Sequence, residues 1–185
     1  MSQNAFRNKR VVGVEDGSFQ KGITQRAPLA VVLFKGLQME GVKFARISVD
    51  GLDATEKLGE ILGKWKFEAV FLAGVSFAGF NVIDPTIIHA EFGNPVIIVS
   101  RTKPNNKAVK RALKRHFEDW QYRWSVFKKL GLVHKTAVST NEPPVYFETV
   151  GVRAGWATTL VRAFSVCNRI PEPIRVARLI ARGLS

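Results

Sequence analysis

A chain of 185 residues, 46% of them hydrophobic, fits a single globular domain over 1–185 with a sizeable core. Its 28 lysines and arginines against 15 acidic residues give a net charge of +13, which favours an anionic partner. The single Cys167 excludes an internal disulfide, the three histidines argue against a structural zinc site, and no apolar run reaches the ~18 residues of a membrane span.

Apolar and β-branched segments predict six strands. The first three follow one another directly, which indicates an antiparallel meander. The later strands alternate with helices, and such crossovers require parallel pairing. The predicted strands are Arg10 to Val14, Leu29 to Lys35, Glu40 to Val49, Ala69 to Leu72, Pro95 to Ser100 and Val145 to Val150.

Helical periodicity and capping residues predict the helices between and after these strands. Asp53 is the expected N-cap of the first helix, with Glu56 completing a capping box. Asp84 is expected to begin the second helix at Pro85. The others are Asn106 to Leu130, with a bend, Ala154 to Phe164 and Pro171 to Leu184. We therefore predict an α/β, ribonuclease H-like fold: a mixed sheet of five to six strands with helices on both faces.

The positive charge is concentrated between Arg101 and Lys135, where 11 basic residues stand against two acidic ones. Arg101 and Lys103 follow a predicted strand, and a basic stripe at helical spacing follows them: Lys107, Lys110, Arg111, Lys114 and Arg115. Such a surface predicts contacts with the phosphates of DNA or RNA. A solvated helix face, or an acidic protein or membrane surface as partner, is the alternative.

Four segments in the same order resemble a known family over nearly the whole chain. They are VVGVEDGSF from Val11, VDGLDAT from Val49, GVSFAGFNVID from Gly74 and RIPEPIRVARLIARG from Arg169. They are similar to an archaeal family of unknown function, domain of unknown function ninety-nine, a distant relative of endonuclease V. The resemblance implies a ribonuclease H-like fold. From endonuclease V it also implies cleavage of a phosphodiester near deaminated purine bases, dependent on Mg²⁺ or Mn²⁺.

Three acidic residues are the candidate catalytic and metal-binding groups. Nucleases of this type hold the metal with carboxylates that converge from neighbouring strands. The resemblance places Glu15 at the position of the first metal-binding aspartate, with Asp16 beside it, and Asp50 is a further candidate. Because successive strand residues point to opposite faces, we expect only one of Glu15 and Asp16 to face the site. A solvated acidic turn is the alternative for this pair.

The chain departs from endonuclease V at several expected site positions. Ala73 stands where the enzymes carry an acid at the end of the fourth strand, and a methyl group cannot bind a metal. Val152 and Gly155 stand where they carry a polar or acidic ligand, so only Arg153 remains polar there. The Pro-Tyr-Ile-Pro wedge that opens the duplex has no match in this chain. The sequence therefore does not predict inosine-specific cleavage.

The segment from Gly74 to Asp84 leaves a central strand, where ligands bind in α/β sheets. Phe77 is a candidate to stack on a base, and Asn81 to hydrogen-bond a base edge. The alternative is core phenylalanine with a polar cap. With Arg153 and the basic positions above, these residues complete the candidate nucleic-acid surface.

Three functions stay open at this stage. The first is a nucleic-acid-binding protein with metal-dependent nuclease activity, and the second is a binding module without catalysis. The third is an enzyme that acts on a nucleotide or phosphorylated small molecule. The polar start, from Ser2 to Asn4, resembles no signal peptide, so we expect a cytoplasmic protein without a membrane partner.

Overall fold

A seven-stranded sheet forms the centre of the protein in a computed structural model that describes residue 6 and residues 8–140 and 142–185. The polar start of the chain lies outside these residues. The strands of the main sheet are β1 Arg10–Asp16, β2 Arg26–Lys35, β3 Gln38–Ser48, β4 Ala69–Leu72, β7 Val96–Ser100, β8 His134–Thr136 and β9 Val145–Val150. A small second sheet contains β5 Ser76–Phe77 and β6 Asn81–Val82.

The strand pairing confirms the predicted mixed sheet. The strands lie in the order β3-β2-β1-β4-β7-β9-β8. Strands β1, β2 and β3 form an antiparallel meander, β4 pairs in parallel with β1 and β7, and β9 is antiparallel to β7 and β8. The prediction of five or six strands was wrong by one. Strand β8 has only three residues, two of them polar, which is too short for a periodic signal.

The described residues form six helices, in chain order α1 Ala54–Leu62, α2 Pro85–Phe92, α3 Asn106–His116, α4 Trp120–Lys129, α5 Ala154–Phe164 and α6 Glu172–Gly183. Helices α1, α2 and α4 contribute to one apolar core, and α5 and α6 to the core on the opposite face. The single long helix predicted after Asn106 is two helices, because Phe117 has extended backbone angles. In the described ranges, no helix is long and apolar enough to cross a membrane.

The central strands are buried on both faces, as their continuous apolar sequences predict. In β4, Val70 and Leu72 enter one core, whereas Ala69 and Phe71 enter the other. Because both sides of a parallel sheet are covered by helices, no position in such a strand is left for a solvated residue. In the central strands, the polar residues at the strand ends are therefore the more exposed part.

Helix α6 lies directly on β1 because two glycines remove the side chains between them. A Cβ on Gly13 would overlap Pro173, and a Cβ on Gly17 would overlap the carbonyl oxygen of Ala181. Four strand residues advance about 13 Å and eight helical residues about 12 Å, so both contacts form together. The Pro-Glu-Pro segment at the start of α6 is thus a packing element, and it fixes which helix residues face the end of β1.

Replacing Gly13 with alanine tests this contact. The added methyl group would push against the Pro173 backbone, so we expect Gly13→Ala to lose about 3 kcal/mol of unfolding free energy by overpacking. Urea unfolding measures the loss. Gly131→Ala is the control because a Cβ there meets no atom within 4 Å. Equal stability of Gly13→Ala and the wild type would contradict this account of the helix position.

Candidate active site at the carboxyl edge of the sheet

Three parallel strands end together beside α6 and form the floor of a cleft of about 330 Å³. Val14 on β1 pairs with Leu72 on β4, which pairs with Ile98 on β7, so Ala73 lies between the ends of the two outer strands. The cleft is lined by Glu15, Ala73, Val99, Ser100, Arg101, Thr102, Ile170, Ile174, Arg175 and Arg178. The site thus contains predicted residues together with arginines that the sequence analysis did not select.

A smaller hollow of about 130 Å³ continues the cleft toward the start of the next loop. It is lined by Glu15, Asp16, Gly17, Ser18, Arg178 and Arg182. Glu15 and Arg178 belong to both spaces and therefore stand at their junction. Of the two candidate carboxylates at the end of β1, Glu15 lines the cleft and the hollow, whereas Asp16 lines only the hollow.

The carboxyl groups of Glu15 and Asp16 interact strongly. Burial, a hydrogen bond with the Asp16 side chain and the charge of Asp16 raise the pKa of Glu15 to about 8, whereas the Arg178 charge lowers it. Asp16 accepts a hydrogen bond from the backbone N–H of Ala78 at 2.5 Å. At neutral pH this pair therefore holds a proton on Glu15, as neighbouring carboxylates do when no cation lies between them.

Helix α6 presents arginines to the cleft at a spacing that keeps them on one face. Arg175, Arg178 and Arg182 stand at i, i+3 and i+7. Arg175 forms an ion pair with Glu172 at 2.7 Å, but in the described part of the chain no carboxylate lies within 4.0 Å of Arg178 or Arg182. The sequence analysis identified this segment as a helix and as part of the family resemblance, and assigned its arginines no role in a site.

Arg101, at the end of β7, faces the same group of arginines and likewise has no ion pair among the described residues. Burial and the positive charges of Arg178 and Arg169 lower the pKa of Arg101. Positive charge therefore accumulates in the cleft beyond what Glu15 and Asp16 can neutralise. Such a surplus, half-enclosed by apolar walls, is suited to bind an anion.

Asp50, the third candidate ligand, holds the loop after β5 and lies apart from any metal cluster. Its carboxylate accepts from the Phe80 N–H at 2.8 Å, and its own N–H donates to the Ala78 carbonyl at 2.8 Å. In residues 6, 8–140 and 142–185, no three His, Cys, Asp or Glu side chains are grouped to hold a metal ion. Its positive φ of 57° turns the chain so that these bonds form locally. Asp50 is therefore a positioning residue in this structure.

Phe77 and Asn81 lie in the interior, so neither offers a surface to a base. Phe77 is 1% exposed and packs in the core beneath α1 and α2. Asn81 is fully buried and accepts from Ala54 N–H at 3.0 Å, which caps α1 from a distant segment. Asp53, the predicted cap, instead accepts from Asn81 at 2.6 Å and from Ser48. The spacing of residues near α1 could not show that Asn81, 27 positions away from Ala54, takes the capping role predicted for Asp53.

Arg123, one of the basic residues between Arg101 and Lys135, has a structural role. Its side chain is 6% exposed and donates to the carbonyl oxygens of Phe80 at 2.6 Å and Gly51 at 3.0 Å. It also pairs with Asp119 at 2.8 Å. Asp84 is bound by Lys129 at 2.6 Å and accepts from the N–H of Thr86, which confirms its role at the start of α2.

The basic stripe of α3 lies on the surface, directly after the loop that carries Arg101 and Lys103. Lys107, Arg111 and Arg115 are exposed at successive helical turns. Two further members pack on tryptophan rings of α4: Lys110 lies 5.5 Å from the Trp124 centroid and Lys114 4.7 Å from the Trp120 centroid. The outer part of the stripe is thus free to contact a partner.

Arg153 lies at the opposite edge of the sheet from the cleft. Because β9 runs antiparallel to β7, Val150 pairs with Val96 at the amino end of β7, whereas the cleft is at the carboxyl end. Val152, Arg153 and Gly155 follow Val150 and share this distant position. Arg153 therefore does not line the cleft, because the strand direction separates the two, and its contact with nucleic acid stays a prediction.

A larger hollow of about 760 Å³ also lies at this opposite edge, near the turn between β2 and β3. None of its lining residues is acidic: Phe6, Asn8, Lys35, Gly36, Leu37, Gln38, Arg162, Ala163, Phe164, Ser165 and Val166. It has no general acid or base of the carboxylate type, and we do not place the site there.

Comparison with known proteins identifies a family that matches nearly the whole chain. The model of a family described as Endonuclease dU matches residues 7–185. A UPF0215 protein from Methanosarcina acetivorans is 37% identical over 180 residues, which cover 95% of this chain and 90% of that protein. A protein of unknown function from Archaeoglobus fulgidus has a similar crystal structure, with a TM-score of 0.84, 28% identity and coverage of 95% and 98% of the two chains.

The fold is also similar to that of endonuclease V. Ciona intestinalis endonuclease V, solved in complex with a 24mer DNA containing an inosine, matches with a TM-score of 0.66. Identity is 12%, and the match covers 95% of this chain and 85% of that protein. At this identity the match shows a shared fold, which agrees with the distant relationship expected from the sequence.

Glu15→Gln should change how stability depends on pH. The unfolded carboxyl loses its proton near its ordinary pKa of 4.5, whereas the folded one keeps it up to about pH 8. The unfolded state then binds fewer protons, so wild-type stability falls between these values. We expect the variant, measured without metal, to become progressively more stable relative to the wild type as the pH rises through this window. Denaturant unfolding from pH 4 to 9 measures the gain, and a constant difference would contradict the raised pKa.

Proposed function

Because this chain belongs to the endonuclease dU family, we propose that it is a divalent-metal-dependent endonuclease that cleaves nucleic acid beside deoxyuridine. The observation that carries the proposal is the cleft at the carboxyl edge, where the Glu15–Asp16 pair faces unpaired arginines of α6 and β7. A carboxylate pair suits a cation, and arginines suit the phosphates on either side of it. We also infer that the sheet is of the ribonuclease H-like type.

The donor set fits one Mg²⁺ or Mn²⁺ ion. Magnesium is commonly held by one or two carboxylates, with phosphate oxygens and water in the remaining positions. Glu15 and Asp16 supply two such groups, and their mutual repulsion would be relieved by a cation. Ala73 supplies none, and Asp50 is engaged by the backbone of Phe80. When bound, the ion would activate water and stabilise the leaving oxygen.

Hydrolysis adds a water oxygen to the phosphorus atom and breaks the bond from phosphorus to one ester oxygen. The attacking water loses a proton and the departing oxygen takes one up. The residues of the chain contribute position and charge: Glu15 and Asp16 come from a rigid strand end, and Asp16 is fixed by its bond to Ala78 N–H. Rigid placement of this kind lowers the entropic part of the barrier.

The outer face of α3 would bind the nucleic acid beyond the cleft. Lys107, Arg111 and Arg115 project from successive turns of a helix that begins five residues after Arg101. Lys103 lies in the loop that connects Arg101 to the start of α3. This arrangement supports a continuous contact with a phosphate backbone that leads into the cleft.

A cleavage assay tests the proposed activity. Oligonucleotides of DNA and RNA, containing deoxyuridine, inosine or no modified base, are incubated with Mg²⁺ or Mn²⁺. We expect metal-dependent cleavage of the deoxyuridine DNA, and a loss of at least a hundredfold in Glu15→Gln/Asp16→Asn, as when groups that act directly on the reacting atoms are removed. Glu56→Gln is the control, because this exposed glutamate on α1 lies outside the cleft.

The same assay distinguishes a nuclease from a binding module without catalysis. The methyl group of Ala73, which cannot bind a metal, favours the binding module. Cleavage that persists in Glu15→Gln/Asp16→Asn would contradict the assigned site. No cleavage of any substrate, combined with DNA binding that the double variant retains, would leave the binding module as the function.

The α3 surface predicts a measurable effect of salt on binding. The logarithm of the binding constant falls with the logarithm of salt concentration by about 0.9 for each neutralised phosphate. We expect Lys107→Ala/Arg111→Ala to reduce this slope by about 2 in fluorescence anisotropy titrations with duplex DNA. Lys64→Ala/Lys66→Ala, which removes the same charge from the exposed segment after α1, should keep the wild-type slope. Equal slopes for both double variants would exclude α3 from the interface.

A further inference from the structure

The position of the missing acid is surrounded by positive charge. Ala73 lies at the end of β4, between Glu15 and Val99, and its methyl group leaves the floor of the cleft open. Arg101 from β7 and Arg178 from α6 line the same cleft. A cation at this place would be repelled by two guanidinium groups. This part of the site is therefore positively charged, whereas a carboxylate in place of Ala73 would make it negative.

We propose that Arg101 and Arg178 bind a phosphate group directly in the space over Ala73, without a metal ion between them. This inference rests on the proposed function for its natural ligand, which is then the phosphodiester next to the bond that is cleaved. The binding of phosphate itself needs neither catalysis nor metal. It can therefore be measured separately.

The guanidinium groups are free to make this contact. Among the described residues, neither Arg101 nor Arg178 has a carboxylate within 4.0 Å, whereas their neighbour Arg175 is occupied by Glu172. Arginine donates two parallel hydrogen bonds to phosphate, and the planar group keeps its charge at any physiological pH. Two arginines from different elements can thus enclose one phosphate from two sides.

The surroundings add polar groups to the contact. Ser100 and Thr102 bring hydroxyl groups to the cleft, beside the apolar Val99, Ile170 and Ile174. Hydroxyl groups can donate further hydrogen bonds to phosphate oxygens.

The position of Arg178 is fixed before any ligand arrives. Gly13 and Gly17 hold α6 against β1 at Pro173 and Ala181, and Arg178 lies between these two contacts. Arg101 is exposed and directly follows β7, whose first four residues are buried. The backbone positions of both arginines are therefore set by the fold, which favours binding.

Phosphate binding to the metal-free protein tests the inference. Inorganic phosphate and pyrophosphate are titrated by calorimetry at low salt, in the presence of EDTA. We expect saturable binding to the wild type, and binding weaker by about tenfold or more in Arg178→Ala and in Arg101→Ala, since each loses charged hydrogen bonds. Lys64→Ala, which removes one positive charge outside the cleft, should bind as the wild type does.

A second pair of variants changes the floor of the cleft and leaves the arginines in place. Ala73→Asp puts a carboxylate where the phosphate is proposed to lie, and we expect it to abolish binding by repulsion. Ala73→Ser also adds a polar side chain at this position but carries no charge, so we expect it to retain binding. It therefore controls for the added volume in Ala73→Asp. Circular dichroism of each variant confirms that the fold is kept.

Two results would overturn the inference: no phosphate binding by the wild type, or wild-type affinity in both Arg178→Ala and Ala73→Asp. The proposed nuclease activity fails in a different way. If phosphate binds as expected but no nucleic acid is cleaved, only the proposed function is lost. If deoxyuridine DNA is cleaved but phosphate does not bind, only the arginine site is lost.

Discussion

The close packing of α6 on β1 depends on two glycines, and the composition of the cleft depends on that packing. With a side chain at Gly13 or Gly17 the helix would have to move outward, because its own backbone occupies the space. The rise of the helix matches that of the strand over this distance, so Arg178 is held beside Glu15. A packing requirement in the core thus determines which charges meet at the surface, and it links the apolar pattern of the sequence to the proposed chemistry.

Several polar residues near the cleft have structural roles. Asp16 and Asp50 bind the backbone N–H groups of Ala78 and Phe80, so the loop between β5 and β6 is held from both sides. Buried Arg123 binds the Phe80 carbonyl from α4. Backbone groups in a turn need such partners when they lie away from water. The three candidate acidic residues therefore differ: Glu15 lines the cleft, Asp16 lines the adjoining hollow, and Asp50 holds the loop between β5 and β6.

The family resemblance selected Glu15 and Asp16. Sequence patterns predicted six of the seven strands of the main sheet and most of the helix positions, because periodicity and turn residues act over short distances. They failed where a role depends on distant neighbours. Asn81 caps α1 across 27 residues and displaces Asp53 from that role, which no local pattern could indicate. Phe77 enters the core because its segment folds back as a small sheet. Arg178 was overlooked because its importance comes from the docking of α6, which only the three-dimensional structure reveals.

The central claim is that a carboxylate pair and an arginine pair share one cleft, each with its own ligand. The most direct measurement is a crystal structure with Mn²⁺ and a deoxyuridine oligonucleotide that has a non-cleavable phosphorothioate, with Mn²⁺ located by anomalous scattering. We predict one Mn²⁺ ion bound by Glu15 and Asp16, and a phosphate over Ala73 in contact with Arg101 and Arg178. A metal ion over Ala73, or a nucleic acid bound only outside the cleft, would contradict this account.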